Sequence, residues 1–160
     1  VVHLGSNPAL LGFISRPQTP EVGHTLRNIK ENGSYTINHI HPNFVKKAHY
    51  TSAKFSAEES EFELCGLTQE YQKDILAPFV KQSTFKMGMQ FVETLDIKHN
   101  GTVMVIGEIQ KLIIDNSAMV DDDIDLQASN SVGISGLNSY YELKKIAQFP
   151  YARIEELPEF

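Results

Sequence analysis

The sequence predicts a mainly β fold, of the α+β or all-β kind, in which short helices are inserted among antiparallel strands. The main observation is a pair of long segments with period-two alternation, residues 85–97 and 102–114, joined at Asn100-Gly101. An Asn-Gly pair in this position is typical of a β-hairpin, and arms of this length favour a twisted barrel over a flat sheet. Strands and helices do not alternate regularly, and GxGxxG and GxxxxGK[ST] are both missing, which argues against a doubly wound nucleotide-binding fold.

The first third of the chain predicts strands separated by two short helices. Apolar runs and alternation indicate the strands, while Thr25 is a candidate N-cap and Gly33 a stop for the first helix. In the second helix, Phe44, Val45 and Ala48 are expected to face inward. In chain order, the elements are strands at residues 1–4 and 9–15, a loop at 16–23, a helix at 24–32, a strand at 34–40 and a helix from Pro42 to about Tyr50.

The remainder outside the hairpin is expected to be less regular. Residues 51–82 mix acidic and apolar residues without a period, which indicates an irregular surface excursion. The acidic run at 121–125 is expected to be a solvated loop. In the tail, a short helix is expected between Tyr141 and Tyr151.

Length and composition indicate a single domain, residues 1–160. The formal net charge is −6, from 20 acidic and 14 basic residues, and no basic patch is visible, so a nucleic-acid partner is not expected. No apolar run reaches the length of about 20 residues that a membrane helix needs. The one cysteine, Cys65, permits no internal disulfide and favours a cytoplasmic location.

The strongest candidate for a ligand site is an anion site within residues 16–28. The start of a helix offers unpaired backbone N–H groups and the positive end of the helix dipole, which attract phosphate. Thr25 adds a hydroxyl, Arg16 adds a guanidinium fork, and Asn28 lies one turn along from Thr25 on the same face. The same residues also fit a simpler interpretation, in which Thr25 only caps the helix and Arg16 is solvated.

Neither a metal site nor a catalytic residue is evident in the sequence. The six histidines lack acidic or cysteine partners at familiar ligand spacing, so surface or hydrogen-bonded histidines are expected. Cys65 lies among apolar neighbours and is expected to be a small buried filler. The acidic residues of segment 58–63 are interpreted as a solvated face, and Tyr140-Tyr141 as either a stacking or a packing pair.

Four motifs occur in an order and spacing that one known family shares. Residues 6–13 are similar to SNPPLVGF, residues 25–38 to DTxxNIxxTGxFxVN, residues 61–68 to EFExxGLT, and residues 105–109 to VIGEV. Each motif is weak alone, but four in the right order are specific. On these motifs the chain resembles the flavin reductase-like, FMN-binding split-barrel family.

This resemblance implies a six-stranded antiparallel split β-barrel with short inserted helices, usually a homodimer with FMN near the subunit interface. Many members use NADH or NADPH to reduce flavin, and some deliver the reduced flavin to a partner monooxygenase. The implied cofactor-binding positions are Ser6 and Asn7 near the flavin, Arg16, Thr25 and Asn28 at the phosphate, and His49, Thr51 and Ser52 against the cofactor.

The chain departs from the family pattern in three places. The opening strands of the family have no counterpart, so we expect the domain to lack its N-terminal strands. His24 occupies a position where aspartate is common, and residues 135–138 replace the more usual Arg-x-Gly-Gly.

Three functions remain open from the sequence. The first is an NAD(P)H-dependent, FMN-binding flavin reductase-like oxidoreductase. The second is a non-catalytic FMN-binding electron-transfer flavoprotein, and the third is a flavin-free split-barrel interaction protein. Hydride transfer to flavin needs orientation and exclusion of water more than it needs an acid–base pair, so the sequence does not separate these functions.

Overall fold

The computed structural model describes residues 1–19 and 23–158, so part of the loop predicted at residues 16–23, including Pro20, lies outside the described residues. The strands are β1 (Val2–Ser6), β2 (Ala9–Ser15), β3 (Ser34–Asn38), β4 (Gln69–Gln72), β5 (Ile75–Val80), β6 (Phe85–Ile97), β7 (Thr102–Ile114), β8 (Met119–Val120), β9 (Asp123–Ile124), β10 (Val132–Ser135) and β11 (Ser139–Glu142). The helices are α1 (His24–Asn32), α2 (Val45–Tyr50) and α3 (Glu61–Leu64), with 3-10 turns at Pro42–Phe44, Asn116–Ala118 and Ile154–Glu156.

The main sheet is antiparallel, with the strand order β1-β2-β7-β6-β3. Its centre is the predicted β6–β7 hairpin, whose last pair is Ile97 with Thr102 and whose turn holds Gly101 at a φ of 72°. The mainly β character and this hairpin are confirmed. For the predicted six-stranded split barrel, the strand number and the barrel closure are not confirmed, because the main sheet of the described residues has five strands and its pairing does not close.

One face of this sheet forms the core together with α1. Met87 and Met89 of β6 point to the same side, as the period of two requires, and they pack with Val105 of β7. Leu26 and Ile29, three residues apart on α1, cover this cluster from the helix side. The sheet and α1 therefore hold each other in place, which fixes the start of α1 relative to the end of β2.

The opposite face of β3 and β6 is covered by the β4–β5 hairpin, so the expectation of an irregular excursion over residues 51–82 is wrong for this part. Gly88 makes room for the hairpin, since a Cβ atom there would lie 2.8 Å from the Ile75 side chain and 3.1 Å from that of Phe79. Thr36 Oγ1 donates to the carbonyl of Pro78 at 2.7 Å. Lys86, itself buried, forms an ion pair with Glu70 of β4.

The segment after β9 is attached to the region around α2 by three histidines. His41 Nε2 accepts a hydrogen bond from the Thr84 backbone N–H at 3.0 Å, so its Nδ1 donates to the carbonyl of Asn130 at 2.9 Å. His39 Nδ1 and Ser131 Oγ lie 3.0 Å apart, and His49 Nδ1 lies 3.1 Å from the Tyr140 hydroxyl. These bonds confirm the expectation of hydrogen-bonded histidines for these three.

Two expectations for the C-terminal third need correction. The acidic run at 121–125 contains a tight turn rather than only a loop, with Asp121 and Asp122 at positive φ between β8 and β9. The helix expected between Tyr141 and Tyr151 does not form, because this stretch continues β11 to Glu142 and then has no regular structure. No helix within residues 1–19 and 23–158 has the length and apolar character of a membrane span.

Candidate functional site

A cavity of about 560 Å³ lies where the end of β2 meets the start of α1 and the chain that follows α2. Four predicted site residues line it, namely Arg16, Thr25, Thr51 and Ser52. Residues far apart in sequence therefore converge on one place, as expected for a ligand site. We refer to this space as the first cavity.

The start of α1 supplies unpaired backbone donors to the first cavity. The helix has no side-chain N-cap bond and no acidic residue in its first turn. The backbone N–H groups of His24 and Thr25 have no acceptor among the described residues. Since the first N–H groups of a helix carry its positive partial charge, this end attracts an anion.

Thr25 is not the N-cap, and this sequence-based expectation is wrong. The cap is Gly23, which has φ 103° and ψ 20° in the left-handed region. The positive φ disfavours a side chain there, and a Cβ atom would also lie 1.9 Å from Oε1 of Gln18, so that the Gln18 side chain would have to move. Thr25 sits inside the first turn and lines the first cavity, so its hydroxyl is left for a ligand.

Two cationic side chains line the first cavity, Arg16 and Lys54. Both are exposed, and neither has an ion-pair partner in the described part of the chain. Lys54 was missed from the sequence, although it follows closely on the predicted Thr51-Ser52 pair. Two unpaired cations beside a helix start form a donor set that suits a phosphate monoester.

Gln18, also missed from the sequence, connects the two sides of the loop. Its side-chain nitrogen donates to Ser15 Oγ at 3.0 Å and to the carbonyl oxygen of Arg16, while its Oε1 lies against Gly23. This amide is thus bonded to the end of β2 and packs beside the residue that caps α1. No sequence motif predicts this role, because it depends on the folded loop.

Thr51 and Ser52 face the first cavity with hydroxyls that are already engaged. Thr51 Oγ1 donates to the carbonyl of Ala48, and Ser52 Oγ donates to the carbonyl of His49, each at 2.7 Å. Each hydroxyl can still accept a hydrogen bond but must release its helix carbonyl before it can donate to a phosphate. Arg16, Lys54 and the α1 N–H groups are therefore the better donors.

The other predicted site residues do not line the first cavity. Ser6 and Asn7 lie at the opposite end of β2 from Arg16, since Ser6 pairs with Ala9. At about 3.3 Å per residue, the two ends of this strand are about 20 Å apart. The contact of His49 with Tyr140 shows that this tyrosine has a packing partner within the chain.

Asn28 lines a second cavity of about 450 Å³, which continues from the first past His24 and Thr25. The second cavity lies between α1, β3 and the chain around Glu59. A third cavity of about 420 Å³ adjoins the second at Thr36 and Pro78. Thr25 and Glu61 line all three, so the cavities form one continuous groove.

Acidic side chains of segment 58–63, expected to form a solvated face, also contribute to this groove. Glu59 and Glu61 are exposed but line the second cavity. The Ser56 backbone N–H donates to Glu59 at 2.8 Å and lowers the pKa of that carboxyl. The described residues contain no group of three or more His, Cys, Asp or Glu side chains placed to hold a metal ion.

Comparison with known proteins gives close and distant matches. The sequence model of the flavin reductase like domain matches residues 1–126. A split-barrel protein of the flavin reductase type from Shewanella frigidimarina NCIMB 400 is 49% identical, with a TM-score of 0.87 over 94% of this chain and 75% of that chain. A curated uncharacterized protein of Aquifex aeolicus (strain VF5) is 26% identical over 110 residues, which cover 61% of this chain but only 56% of that relative.

Two solved structures with lower identity share the fold. The flavoredoxin of Desulfovibrio vulgaris (Miyazaki F) is 24% identical, with a TM-score of 0.77 over 94% of this chain and 78% of its own. Component B of nitrilotriacetate monooxygenase from Bacillus cereus is 21% identical, with a TM-score of 0.80 over 92% of this chain and 75% of its own. The match over residues 1–126 is the decisive one: this chain belongs to the flavin reductase-like domain family.

Proposed function

We propose that this chain binds FMN with the phosphate in the first cavity, and that it works as an NAD(P)H-dependent oxidoreductase of the flavin reductase type. The observation that carries the proposal is the convergence of Arg16, Lys54 and the free N–H groups of α1 on one cavity. A phosphate dianion is the ligand that this donor set satisfies best. The volume of about 560 Å³ is in the range of cofactor pockets.

The remaining walls of the first cavity suit the rest of a flavin. Phe13, Ile14 and Phe55 provide apolar surface beside the polar donors. Bound FMN would supply the hydride-transfer chemistry, and the chain would orient it and exclude water. Such a role agrees with a site that combines hydrogen-bond donors with apolar walls.

We also propose that the protein is a homodimer with the flavin near the subunit interface. Ser6 and Asn7 are separated from Arg16 by the length of β2, so a flavin that contacts both groups of residues would draw on two subunits. From the family resemblance we further propose that the chain forms a single domain, with a sixth barrel strand and completed by N-terminal strands. From the single cysteine we propose a cytoplasmic location.

An absorbance titration with FMN tests the binding proposal. We expect the purified protein to bind FMN, and Arg16→Ala to weaken binding by about 1.5–3 kcal/mol through loss of a charge-assisted bond. The matched control is Arg153→Ala, which removes another exposed arginine that does not line the cavity. An unchanged dissociation constant in Arg16→Ala would remove Arg16 from the site.

A turnover assay separates the alternatives. If the protein is a reductase, purified protein with FMN oxidises NADH or NADPH without any other protein. Binding of FMN without turnover of either nucleotide would favour the electron-transfer flavoprotein, which a partner reduces. A protein that does not bind FMN at all would favour the flavin-free interaction protein.

A further inference from the structure

The groove that contains the proposed phosphate site has its two cations at one end, and carboxylates without a cation at the other. The first cavity is lined by Arg16, Lys54 and one carboxylate, that of Glu61. The second cavity is lined by the same Glu61 and by Glu59 and, among the described residues, by no lysine or arginine. The two cavities meet at the start of α1. A ligand that extends from the first cavity into the second therefore passes from a cationic to an anionic environment.

One of the two carboxylates of the second cavity, that of Glu59, is stabilised in its charged form. Glu59 accepts the Ser56 N–H at 2.8 Å, and this bond lowers the pKa of its carboxyl. Glu61 has no cationic partner in the described part of the chain and sits in the first turn of α3. Like charges placed near each other repel, and the repulsion grows where a ligand displaces water.

On the basis of the proposed FMN site, we propose that Glu59 and Glu61 make this protein selective for a flavin mononucleotide over a flavin dinucleotide. FMN carries one phosphate, which Arg16, Lys54 and the α1 N–H groups neutralise. FAD carries a second phosphate joined to the first, together with an adenosine, and this extension enters the second cavity beside the two carboxylates. The carboxylates thus penalise the dinucleotide, which meets both of them, more than the mononucleotide, which meets only Glu61.

Glutamine substitutions measure this charge effect without removing the side chains. Glu59 lines the second cavity but not the first, so Glu59→Gln is expected to tighten FAD about threefold and to leave FMN unchanged. Glu61 lines both cavities, so Glu61→Gln is expected to tighten both ligands, and FAD more than FMN. The amide introduced by Glu59→Gln keeps an oxygen that accepts the Ser56 N–H, so the local turn is retained.

The experiment is a fluorescence titration of the whole chain with FMN and with FAD, at low and at high salt. Glu58→Gln and Glu63→Gln are matched controls, because both glutamates are exposed, belong to the same segment and line none of the three cavities. Wild type is expected to prefer FMN. The two cavity variants are expected to reduce this preference, and the reduction should be smaller at high salt because salt screens the charges.

Two results would overturn the proposal. An FMN-to-FAD ratio that stays the same in Glu59→Gln and Glu61→Gln would show that the carboxylates do not select. Weaker FAD binding in either variant would show instead that a carboxylate accepts hydrogen bonds from the ribose of the dinucleotide. If the proposed FMN site itself is wrong, the results differ from both of these. Wild type would then bind neither flavin, or its FMN binding would not depend on Arg16.

Discussion

At the scale of single residues, two buried hydroxyl groups, Ser34 Oγ and Tyr35 Oη, have no hydrogen-bond partner within the described residues. Tyr35 is 6% exposed, packs edge-on against Phe13 with ring centroids 5.6 Å apart, and lies close to Gly107. Burial raises the pKa of the Tyr35 hydroxyl to about 12. An unpaired buried hydroxyl costs free energy, so this group weakens the fold.

We expect Tyr35→Phe to raise the free energy of unfolding by about 1 kcal/mol at neutral pH, because the ring packing stays and the unpaired hydroxyl is lost. The wild type should lose stability as the pH rises from 10 to about 12, since Tyr35 ionises there in the unfolded chain but not in the folded one. The Tyr35→Phe protein should lose less stability over this pH range. Urea unfolding at pH 7 and pH 11 measures both effects.

The exposed Tyr141 provides the matched control for this substitution. Tyr141→Phe should change neither the stability at pH 7 nor its decline in alkali. A Tyr35→Phe protein that unfolds more easily than wild type at neutral pH would mean that the hydroxyl makes a stabilising bond.

At the scale of elements, the packing of the Tyr35 side chain of β3 against β7 depends on Gly107. A Cβ atom at this position would lie 2.4 Å from Tyr35 Oη and 2.9 Å from the carbonyl oxygen of Gln90 on β6. Neither neighbour can move easily, because one belongs to a buried ring and the other to a strand backbone. The packing of these three strands therefore requires a residue without a side chain at Gly107.

We expect Gly107→Ala to destabilise the protein by about 1–3 kcal/mol through overpacking, as measured by urea unfolding. In a Tyr35→Phe background the loss should be smaller, because the nearest clashing atom is gone. Gly5→Ala is the control, since its Cβ would be 3.7 Å from the nearest atom, an ordinary contact. Equal losses in the two backgrounds would place the clash elsewhere.

Elements with a clear local pattern could be predicted from the sequence, and elements without one could not. The bounds of β6, β7 and α1 agree with the predicted residues, because period-two alternation, an Asn-Gly turn and a glycine stop are local signals. β4 was missed because its sequence, QEYQ, is polar and its turn to β5 places Asp74 at positive φ. Its position depends on contacts with β5 and β6 that are distant in sequence.

The candidate site was predicted in part for a similar reason. The convergence of Arg16 and Thr25 followed from the helix start and from the family resemblance. Gln18, Lys54 and the role of Gly23 as the cap depend on how the loop folds back, which no local pattern encodes. The position of Ser6 and Asn7 relative to Arg16 required knowledge of the strand pairing.

At the scale of the whole molecule, the C-terminal third is attached to the sheet through histidines. In the folded protein, the surroundings of one of them, His39, favour its neutral side chain. His39 stacks on Phe85 with centroids 3.9 Å apart and bonds to Ser131, and burial together with the nearby His41 lowers its pKa below the ordinary value. Since the folded state favours neutral His39, its contribution to stability is present above pH of about 6.5 and is lost as the pH falls toward the folded pKa.

We therefore expect the segment from Ser129 to β10 to open on mild acidification, before the β6–β7 hairpin does. Hydrogen exchange at pH 7.5 and pH 5.5, corrected for intrinsic rates, measures this. His39→Asn should reduce the pH dependence of the local opening free energy, whereas His99→Asn, in the exposed turn between β6 and β7, should keep it. The same pH dependence in both variants would refute the role of His39.

The left-handed cap at Gly23 has a consequence for how this site is inherited. In the proposed site, the first donors to an anion are main-chain N–H groups, which every amino acid except proline carries. Substitutions at neighbouring positions can change the side chains around the helix start without removing these donors, provided that Gly23 and the side-chain amide of Gln18 are retained. Descendants of this chain can thus diverge widely in sequence and still keep the main-chain donors of the proposed anion site at the start of α1.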